Sequence, residues 1–297
     1  MTTIARESGT EAQGGRLSAV REWFRDIPII PVVLILVILI IPALFAEYLA
    51  PHNPFLGSLS MRLQPPSFLG GPSEHLLGTD NQGRDILSRM IFGARVSAIV
   101  AGSGILIGGT IGVVLGLLAG FFRGYIDAIV SRLVDITLSI PIMLVAIALA
   151  TAIGASFTAV VTIVALYLWG VYARQTRAET LKWSESQFIK RARVVGCSNP
   201  RILFKHLLPN LVNTLIVLVT LQIGFVIVFE ASLSFVGVGI PRPNPAWGLM
   251  VSEGRRFVVQ AWWVPLFPGL AIMLTVLAFN MLGDWLRDRL DPKLRQV

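Results

Sequence analysis

The stretch ITLSIPIMLVAIALATAIGASFTAVVTIVALYLWGVY, residues 136–172, decides the fold of this chain. It contains 37 residues and no Asp, Glu, Lys or Arg. A transmembrane helix needs about 20 apolar residues, so the stretch is too long for one span and long enough for two. Gly154, Ala155 and Ser156 form a small-residue turn signal inside it. We therefore expect two membrane helices that meet at residues 154–156.

Four other apolar segments have the length of a membrane span. They are Pro28–Leu49, Ala98–Phe122, Leu208–Phe229 and Trp263–Leu282. Only 14% of the residues in the chain are charged, whereas a soluble domain has about 25%. The sequence predicts an all-α, polytopic membrane protein of about six transmembrane helices. Its polar stretches are too short for a soluble catalytic domain.

Positive charges are divided unequally between the two sides of this predicted bundle. Of the 25 Lys and Arg residues, 18 lie on the side that holds both termini and 7 on the other. Because loops rich in Lys and Arg stay in the cytoplasm, we expect both termini to be cytoplasmic in an inner or plasma membrane. This assigns residues 1–27 and 287–297 to cytoplasmic tails, 28–49 to the first span and 50–93 to an extracytoplasmic loop. The net charge of +8 therefore reflects topology and does not indicate nucleic-acid binding.

Glycines recur at every fourth position of the second span. They are Gly104, Gly108, Gly112, Gly116 and Gly120. Glycine at this spacing forms a groove into which another helix backbone can pack closely. General enrichment of glycine in membrane helices is the alternative explanation. We expect this glycine ridge to be a helix-packing surface.

Motifs for catalysis, nucleotide binding and metal binding are not found. No lysine follows a glycine, so a phosphate-binding loop is excluded, and the single cysteine, Cys197, excludes a disulfide within the chain. His52 and His75 lie on the extracytoplasmic side of the predicted membrane and His206 lies on the cytoplasmic side, so the three cannot share one metal ion. We expect no catalytic residue, metal or cofactor in this chain. A cap at Thr79 or Asp80, which would start a helix toward Met90, explains the segment around Asp80 better than a calcium loop does.

Two acidic residues lie close to predicted spans. Asp135 is at the inner end of the third helix and Glu230 at the outer end of the fifth. Ionisable groups at membrane depth mark functional sites. Both are placed near an interface here, so we favour a structural ion pair or cap and leave a transport role open.

The loop at residues 178–210 contains signals for two short helices. Ser184 with Gln187 fits a capping box, and Ser186 is a second candidate cap. The first helix would run to Val195 and end at Gly196. Asn199 and Pro200 would then cap and begin a helix toward Leu208. A plain connector would not need about thirty residues and two capped helices.

This loop resembles the EAA loop of ABC importer permeases. The loop of that family has the pattern Glu-Ala-Ala, three further residues, Gly, and a later Leu-Pro. The chain keeps Ala192, Gly196, Leu208 and Pro209, and departs from the pattern at Lys190 and Arg191. The resemblance implies that these residues form the surface that couples the permease to its ATPase.

Further segments resemble the dipeptide, oligopeptide and nickel group of these permeases. They are Leu77–Asp80, Gly83–Asp85, Ser88–Arg89, Gly93–Arg95, Glu230–Gly237, Trp247–Gly248, Pro268–Leu270 and Asn280–Asp284. Together they cover most of the chain, which is similar to the C-type permease of the group. The resemblance implies a type I ABC importer permease fold with residues 94–286 as its transmembrane domain.

This resemblance also implies a non-catalytic function and a set of partners. The chain would form half of a translocation path with a second homologous permease subunit. Two ATPase subunits would hydrolyse ATP, and an extracytoplasmic solute-binding protein would deliver di- or oligopeptides. Nickel complexes, glutathione and opines remain alternative solutes. A membrane scaffold without transport and a membrane-embedded hydrolase remain alternatives from other classes.

Overall fold

The computed structural model describes residues 28–290, and this part of the chain is helical without a β-strand. The predicted tail at 1–27 and residues 291–297 of the second predicted tail lie outside it. Apart from short 3₁₀ turns, nine helices follow one another in this range. Helices α1–α9 span Ile29–Leu49, Ile86–Phe122, Gly124–Ser139, Ile142–Ile153, Phe157–Ser184, Gln187–Val194, Asn199–Val236, Trp247–Gly254 and Trp263–Leu290.

Five of these helices are long and apolar enough to cross a membrane on their own. They are α1, α2, α5, α7 and α9. Helices α3 and α4 meet the same requirement of length and hydropathy only together, as a pair bent by 83°. The all-helical, polytopic fold predicted from the sequence is therefore confirmed. The bent pair decides between five and six crossings.

The third span is broken, contrary to the straight helix expected from the first half of residues 136–172. Helix α3 ends at Ser139 and α4 begins at Ile142. The cause is Pro141, which lacks a backbone N–H and forces Ile140 into an extended conformation with φ −87° and ψ 126°. The predicted turn at residues 154–156 is confirmed, because Ser156 accepts a hydrogen bond from the Ala159 amide at 3.1 Å and caps α5.

Helices α2 and α5 pack side by side and run parallel. Gly104, at the middle of α2, lies against Val164 in the first third of α5, and Gly120 lies against Thr180 near the ends of both helices. Two neighbouring parallel spans must be joined by a segment that returns across the membrane. Helices α3 and α4 fill that interval of the chain, so the arrangement favours six crossings.

Helix α2 begins at Ile86, well before the predicted start at Ala98. The predicted caps Thr79 and Asp80 are wrong, since Asp85 is the cap and accepts the Ser88 amide hydrogen bond at 2.7 Å. Asp80 instead accepts hydrogen bonds from the backbone of its own turn. Charged side chains in the first turns of α2 concealed this extension of the helix.

Helix α7 continues without a break through the second loop helix, predicted with its cap at Asn199, and the fifth span, predicted at Leu208–Phe229. It begins one residue early, because Ser198 and not Asn199 occupies the cap position. Pro209 cannot donate a backbone hydrogen bond, and a π-helical segment at Ile202–Leu207 precedes it without ending the helix. With 38 residues, α7 is about 57 Å long. Helix α6 therefore lies near the amino-terminal end of α7 and α8 beyond its carboxyl-terminal end, so that the two short helices are far apart.

Candidate functional site

Helix α6 and the turn after it contain four of the six predicted coupling residues, Lys190, Arg191, Ala192 and Gly196. The Cys197 amide donates to the Ala192 carbonyl at 3.0 Å, and the Gly196 amide donates to the Arg193 carbonyl at 3.0 Å. These two bonds form a Schellman motif, which requires a left-handed residue at the turn. Gly196 supplies it with φ +79°. The predicted end of this helix at Gly196 matches the structure, while α6 itself begins at Gln187 rather than at Ser184, the buried last residue of α5.

Ile189 attaches α6 to the membrane helices. Its side chain is fully buried in a cluster with Leu117 and Phe121 of α2 and with Ile202 and Leu203 of α7. Ala192, one turn later on the same face, packs against this cluster. The guanidinium of Arg193 lies over the Phe121 ring, 5.1 Å from its centroid. Displacement of α6 would therefore press on two spans at once.

A pair of ionic contacts holds the turn between α5 and α6. Glu185 accepts a hydrogen bond from Arg123 at 2.5 Å, and its other oxygen lies 3.3 Å from the Lys190 ammonium. The hydrogen bond from Arg123, and to a lesser extent that from Lys190, lowers the pKa of Glu185 below its ordinary value of 4.5. Lys190, which departs from the family pattern, thus binds to an acidic residue that sequence reasoning did not single out. Arg191 lies exposed on the same helix.

The tip of α6 exposes apolar side chains beyond the end of the spans. Val194 and Val195 are 88% and 82% exposed, and Phe204 on the second turn of α7 is 63% exposed. Within residues 28–290, and apart from the two adjoining residues, no atom lies within 4 Å of the position that a Cβ of residue 196 would take. We call Val194, Val195 and Gly196 the α6 tip.

Leu208 and Pro209 do not join the α6 tip. Leu208 is half-buried in α7, and Pro209 lines a cavity of about 570 Å³ between α5, α7 and α9. Polar side chains from all three helices also line this cavity, including Glu179, Asn213 and Arg287. The predicted coupling residues therefore fall into two places. Lys190, Arg191, Ala192 and Gly196 lie on α6 and its turn, whereas Leu208 and Pro209 lie on α7, where Pro209 lines this cavity.

The glycine ridge of α2 lies against the backbone of α5. A Cβ at Gly112 would overlap the Trp169 carbonyl oxygen, and one at Gly116 would overlap the Ala173 carbonyl oxygen. A Cβ at Gly108 would overlap the Ala165 carbonyl oxygen, and one at Gly104 or Gly120 would overlap the side chain of Val164 or Thr180. The facing residues advance along α5 with the glycines, so one helix of the same chain fills the groove along its whole length.

A buried ion cluster lies at the opposite end of the molecule, near α8. Arg84 binds Asp80 at 2.7 Å and Glu253 at 3.1 Å, and Arg89 binds the same two carboxylates at 2.5 and 3.3 Å. Arg242 reaches Glu253 from the surface at 2.6 Å. Breaking such a network by removing one partner is costly, because the remaining charge stays buried. The cluster fastens residues 80–89 to α8, a long-range link that spacing along the sequence does not reveal.

Asp135 and Glu230 occupy different environments. Asp135 is exposed and forms an ion pair with Arg174 of α5 at 3.0 Å. Glu230 is 1% exposed within α7, where it accepts a hydrogen bond from Ser234 at 2.7 Å. Ser234 in turn accepts the Ile240 amide at 3.3 Å, which holds the chain beyond α7. Asp135 thus has an ion pair, and Glu230 supports a turn.

Known proteins share both the sequence and the fold of this chain. The family model described as binding-protein-dependent transport system inner membrane component matches residues 112–296. A di/tripeptide transport system permease protein, DppC, of Pseudomonas aeruginosa is 40% identical over 89% of this chain and 88% of its own length. The glutathione transport system permease protein GsiD of Escherichia coli is 40% identical over 88% and 85%. A putative peptide transport system permease protein of Brucella suis is 36% identical over 88% and 86%.

A solved structure shares the fold at low sequence identity. A chain from inward-facing conformations of the MetNI methionine ABC transporter aligns with a TM-score of 0.52 and 19% identity, over 69% of this chain and 96% of that one. At this identity the likeness concerns the fold alone. The family match and the relatives nevertheless agree over most of the chain, and the chain belongs to the binding-protein-dependent transport system inner membrane components, the non-catalytic permease subunits of ABC importers.

Proposed function

We propose that this permease subunit forms half of a translocation path for di- or oligopeptides and that its α6 tip receives the motion of an ATPase subunit. The observation that carries the coupling proposal is the pairing of two features in one short helix. The α6 tip exposes Val194 and Val195, while Ile189 on the same helix is fully buried against α2 and α7. A partner bound to the tip would therefore displace α2 and α7 when it moves.

Peptides are the proposed solute because three relatives carry related names. They are named for peptide, di/tripeptide and glutathione transport, and glutathione is itself a tripeptide with one γ-linkage. Glutathione, nickel complexes and opines are the remaining alternatives. The proposed assembly contains this chain, a second homologous permease subunit, two ATPase subunits and an extracytoplasmic solute-binding protein.

Reconstitution of the complete transporter in proteoliposomes tests this function. ATP would be trapped on the ATPase side, and the binding protein with a radiolabelled dipeptide would be added to the other side. Uptake that requires both ATP and the binding protein is expected. Uptake of glutathione but no dipeptide would replace the proposed solute, and a stable complex that hydrolyses ATP without importing any of these solutes would contradict the function.

The orientation of the chain is part of the same proposal, with the α6 tip and both termini in the cytoplasm. Ser73 and Ser198 are both exposed and lie at opposite ends of the molecule. Each would be replaced by cysteine in a Cys197→Ser background. An impermeant thiol reagent added to intact cells should modify position 73 and leave position 198 unmodified until the cells are opened. The reverse pattern would overturn the orientation.

A further inference from the structure

Three potential metal ligands converge at the α8 end of the molecule, beside the buried ion cluster. His52 follows the end of α1, His75 lies in the segment between α1 and α2, and Asp85 caps α2. The ligand atoms of these three residues all lie within 4.8 Å of one another. They come from three separate stretches of the chain, so the fold and not the local sequence brings them together.

The carboxylate of Asp85 is held in one orientation. Its Oδ2 accepts hydrogen bonds from the Ser88 amide and the Ser88 hydroxyl, both at 2.7 Å. The Ser88 hydroxyl also accepts the backbone amide of His52 at 3.0 Å, which fixes the start of the His52 stretch. The other carboxylate oxygen, Oδ1, is consequently turned toward the two imidazole rings.

Both rings present their Nδ1 atoms to this oxygen. The His75 Nδ1 lies 2.9 Å from Asp85 Oδ1, and the His52 Nδ1 lies 3.9 Å from it. The His52 Nδ1 is shielded from solvent and has no hydrogen-bond partner, although the residue is partly exposed. A distance of 3.9 Å is too long for a hydrogen bond, so this buried nitrogen lacks the partner that a buried polar atom normally has.

We propose that His52, His75 and Asp85 bind one divalent transition-metal ion such as Zn²⁺. Two imidazole nitrogens and one carboxylate oxygen, with water in the remaining positions, form a donor set that suits this ion. At bond lengths of about 2.0–2.2 Å, two ligands of one ion lie roughly 2.9–3.4 Å apart, and the His75–Asp85 pair already has this separation. The His52 ring would move inward by about 1 Å, for which its surface position leaves room.

The bound ion would tie three parts of the chain together. It would join the end of α1, the segment that precedes α2, and the first turn of α2, next to the ion cluster that fastens this turn to α8. Ser88 would orient Asp85 from behind, as outer-shell hydrogen bonds do in metal sites. The site would thus stabilise the α8 end of the molecule, independently of the solute that the transporter carries.

Zinc titration of the full-length chain, purified in detergent through a tag without histidine and stripped with a chelator, tests the site. Isothermal titration should show one Zn²⁺ per chain, and Co²⁺ added in its place should give visible absorption bands of a nitrogen- and oxygen-ligated ion. His52→Ala should weaken Zn²⁺ binding by at least about tenfold. His206→Ala removes the third histidine of the chain, which lies on α7 at the other end, and should bind as the wild type does.

A thermal measurement separates the metal from a simple His75–Asp85 hydrogen bond. Zn²⁺ should raise the melting temperature of the wild type and of His206→Ala and leave that of His52→Ala unchanged, because a ligand stabilises only a fold that binds it. The partly exposed position of His52 makes His52→Ala a suitable variant, and its helical circular dichroism checks that it folds. A wild type that binds no Zn²⁺, or binding that survives His52→Ala, would overturn the proposal and leave only the hydrogen-bonded pair.

Discussion

Gly196 combines a backbone requirement with a place on the proposed docking surface. Its φ of +79° completes the Schellman turn, and no described residue other than its chain neighbours fills the space beside it. A side chain would therefore meet backbone strain without a clash inside the protein. Asparagine tolerates this left-handed conformation better than a β-branched residue does.

Gly196→Val should weaken ATPase binding, whereas Gly196→Asn should largely preserve it. The valine strains the turn by about 1–3 kcal/mol and shifts Val194 and Val195, while asparagine keeps the turn. Co-purification of the ATPase from membranes that contain equal amounts of each variant is the measurement. If both variants retained the ATPase equally well, the left-handed turn would have no part in docking.

The ionic contacts of Glu185 predict a pH dependence of the α5–α6 turn. Because Arg123, and then Lys190, lowers the pKa of this carboxyl in the folded protein, its contribution is present above the ordinary value of 4.5 and is lost as the pH falls through the lowered folded pKa. The effect should be small, since the pair is exposed to solvent. The difference in melting temperature between the wild type and Glu185→Gln should accordingly be largest near neutral pH and vanish well below pH 4.5. A difference that grew on acidification would contradict this sign.

The local structure of the proposed coupling surface could be predicted only in part. The sequence indicated Gly196, because a helix signal ends there, and Ala192, through the family pattern. It did not indicate that Lys190 binds Glu185 or that Ile189 anchors the helix. Ile189 and Ala192 have the i, i+3 spacing of a buried helical face, and this signal was hidden by the basic residues around them.

At the scale of secondary-structure elements, glycine determines how closely two helices pack and proline determines where a span bends. The glycine ridge allows α2 and α5 to approach until carbonyl oxygens of α5 lie where side chains would be. The four-residue spacing predicted a packing surface, and the sequence could not tell which helix fills it. The bend at Pro141 was missed because the apolar run continues through it, and hydropathy records length but not backbone geometry.

Gly112→Leu should destabilise the chain itself. The new side chain would overlap the backbone at Trp169, and overpacking of this kind costs about 1–3 kcal/mol or more. Gly102→Leu is the matched control on the same helix, since nothing lies within 4 Å of its Cβ position. We expect a lower melting temperature in detergent for Gly112→Leu only. Equal behaviour of the two variants would mean that the ridge does not hold α2 to α5.

The whole molecule connects two ends through long helices. One end carries the α6 tip, and the other carries the buried ion cluster that fastens residues 80–89 to α8. Helices α2 and α7 reach toward both ends, and Ile189 lies against both of them at the α6 end. A displacement of α6 can therefore travel along two continuous helices, which is the structural basis of the proposed coupling.

Replacement of the two valines of the α6 tip by aspartate tests this coupling most directly. In the reconstituted transporter, Val194→Asp with Val195→Asp should abolish ATPase co-purification and lower ATP-dependent peptide uptake at least tenfold, because charges replace the apolar contact. The chain should still reach the membrane with its partner permease. Val259→Asp is the control, since Val259 is 93% exposed in the segment after α8, and it should retain its ATPase. Wild-type ATPase binding and uptake in the tip variant would contradict the account.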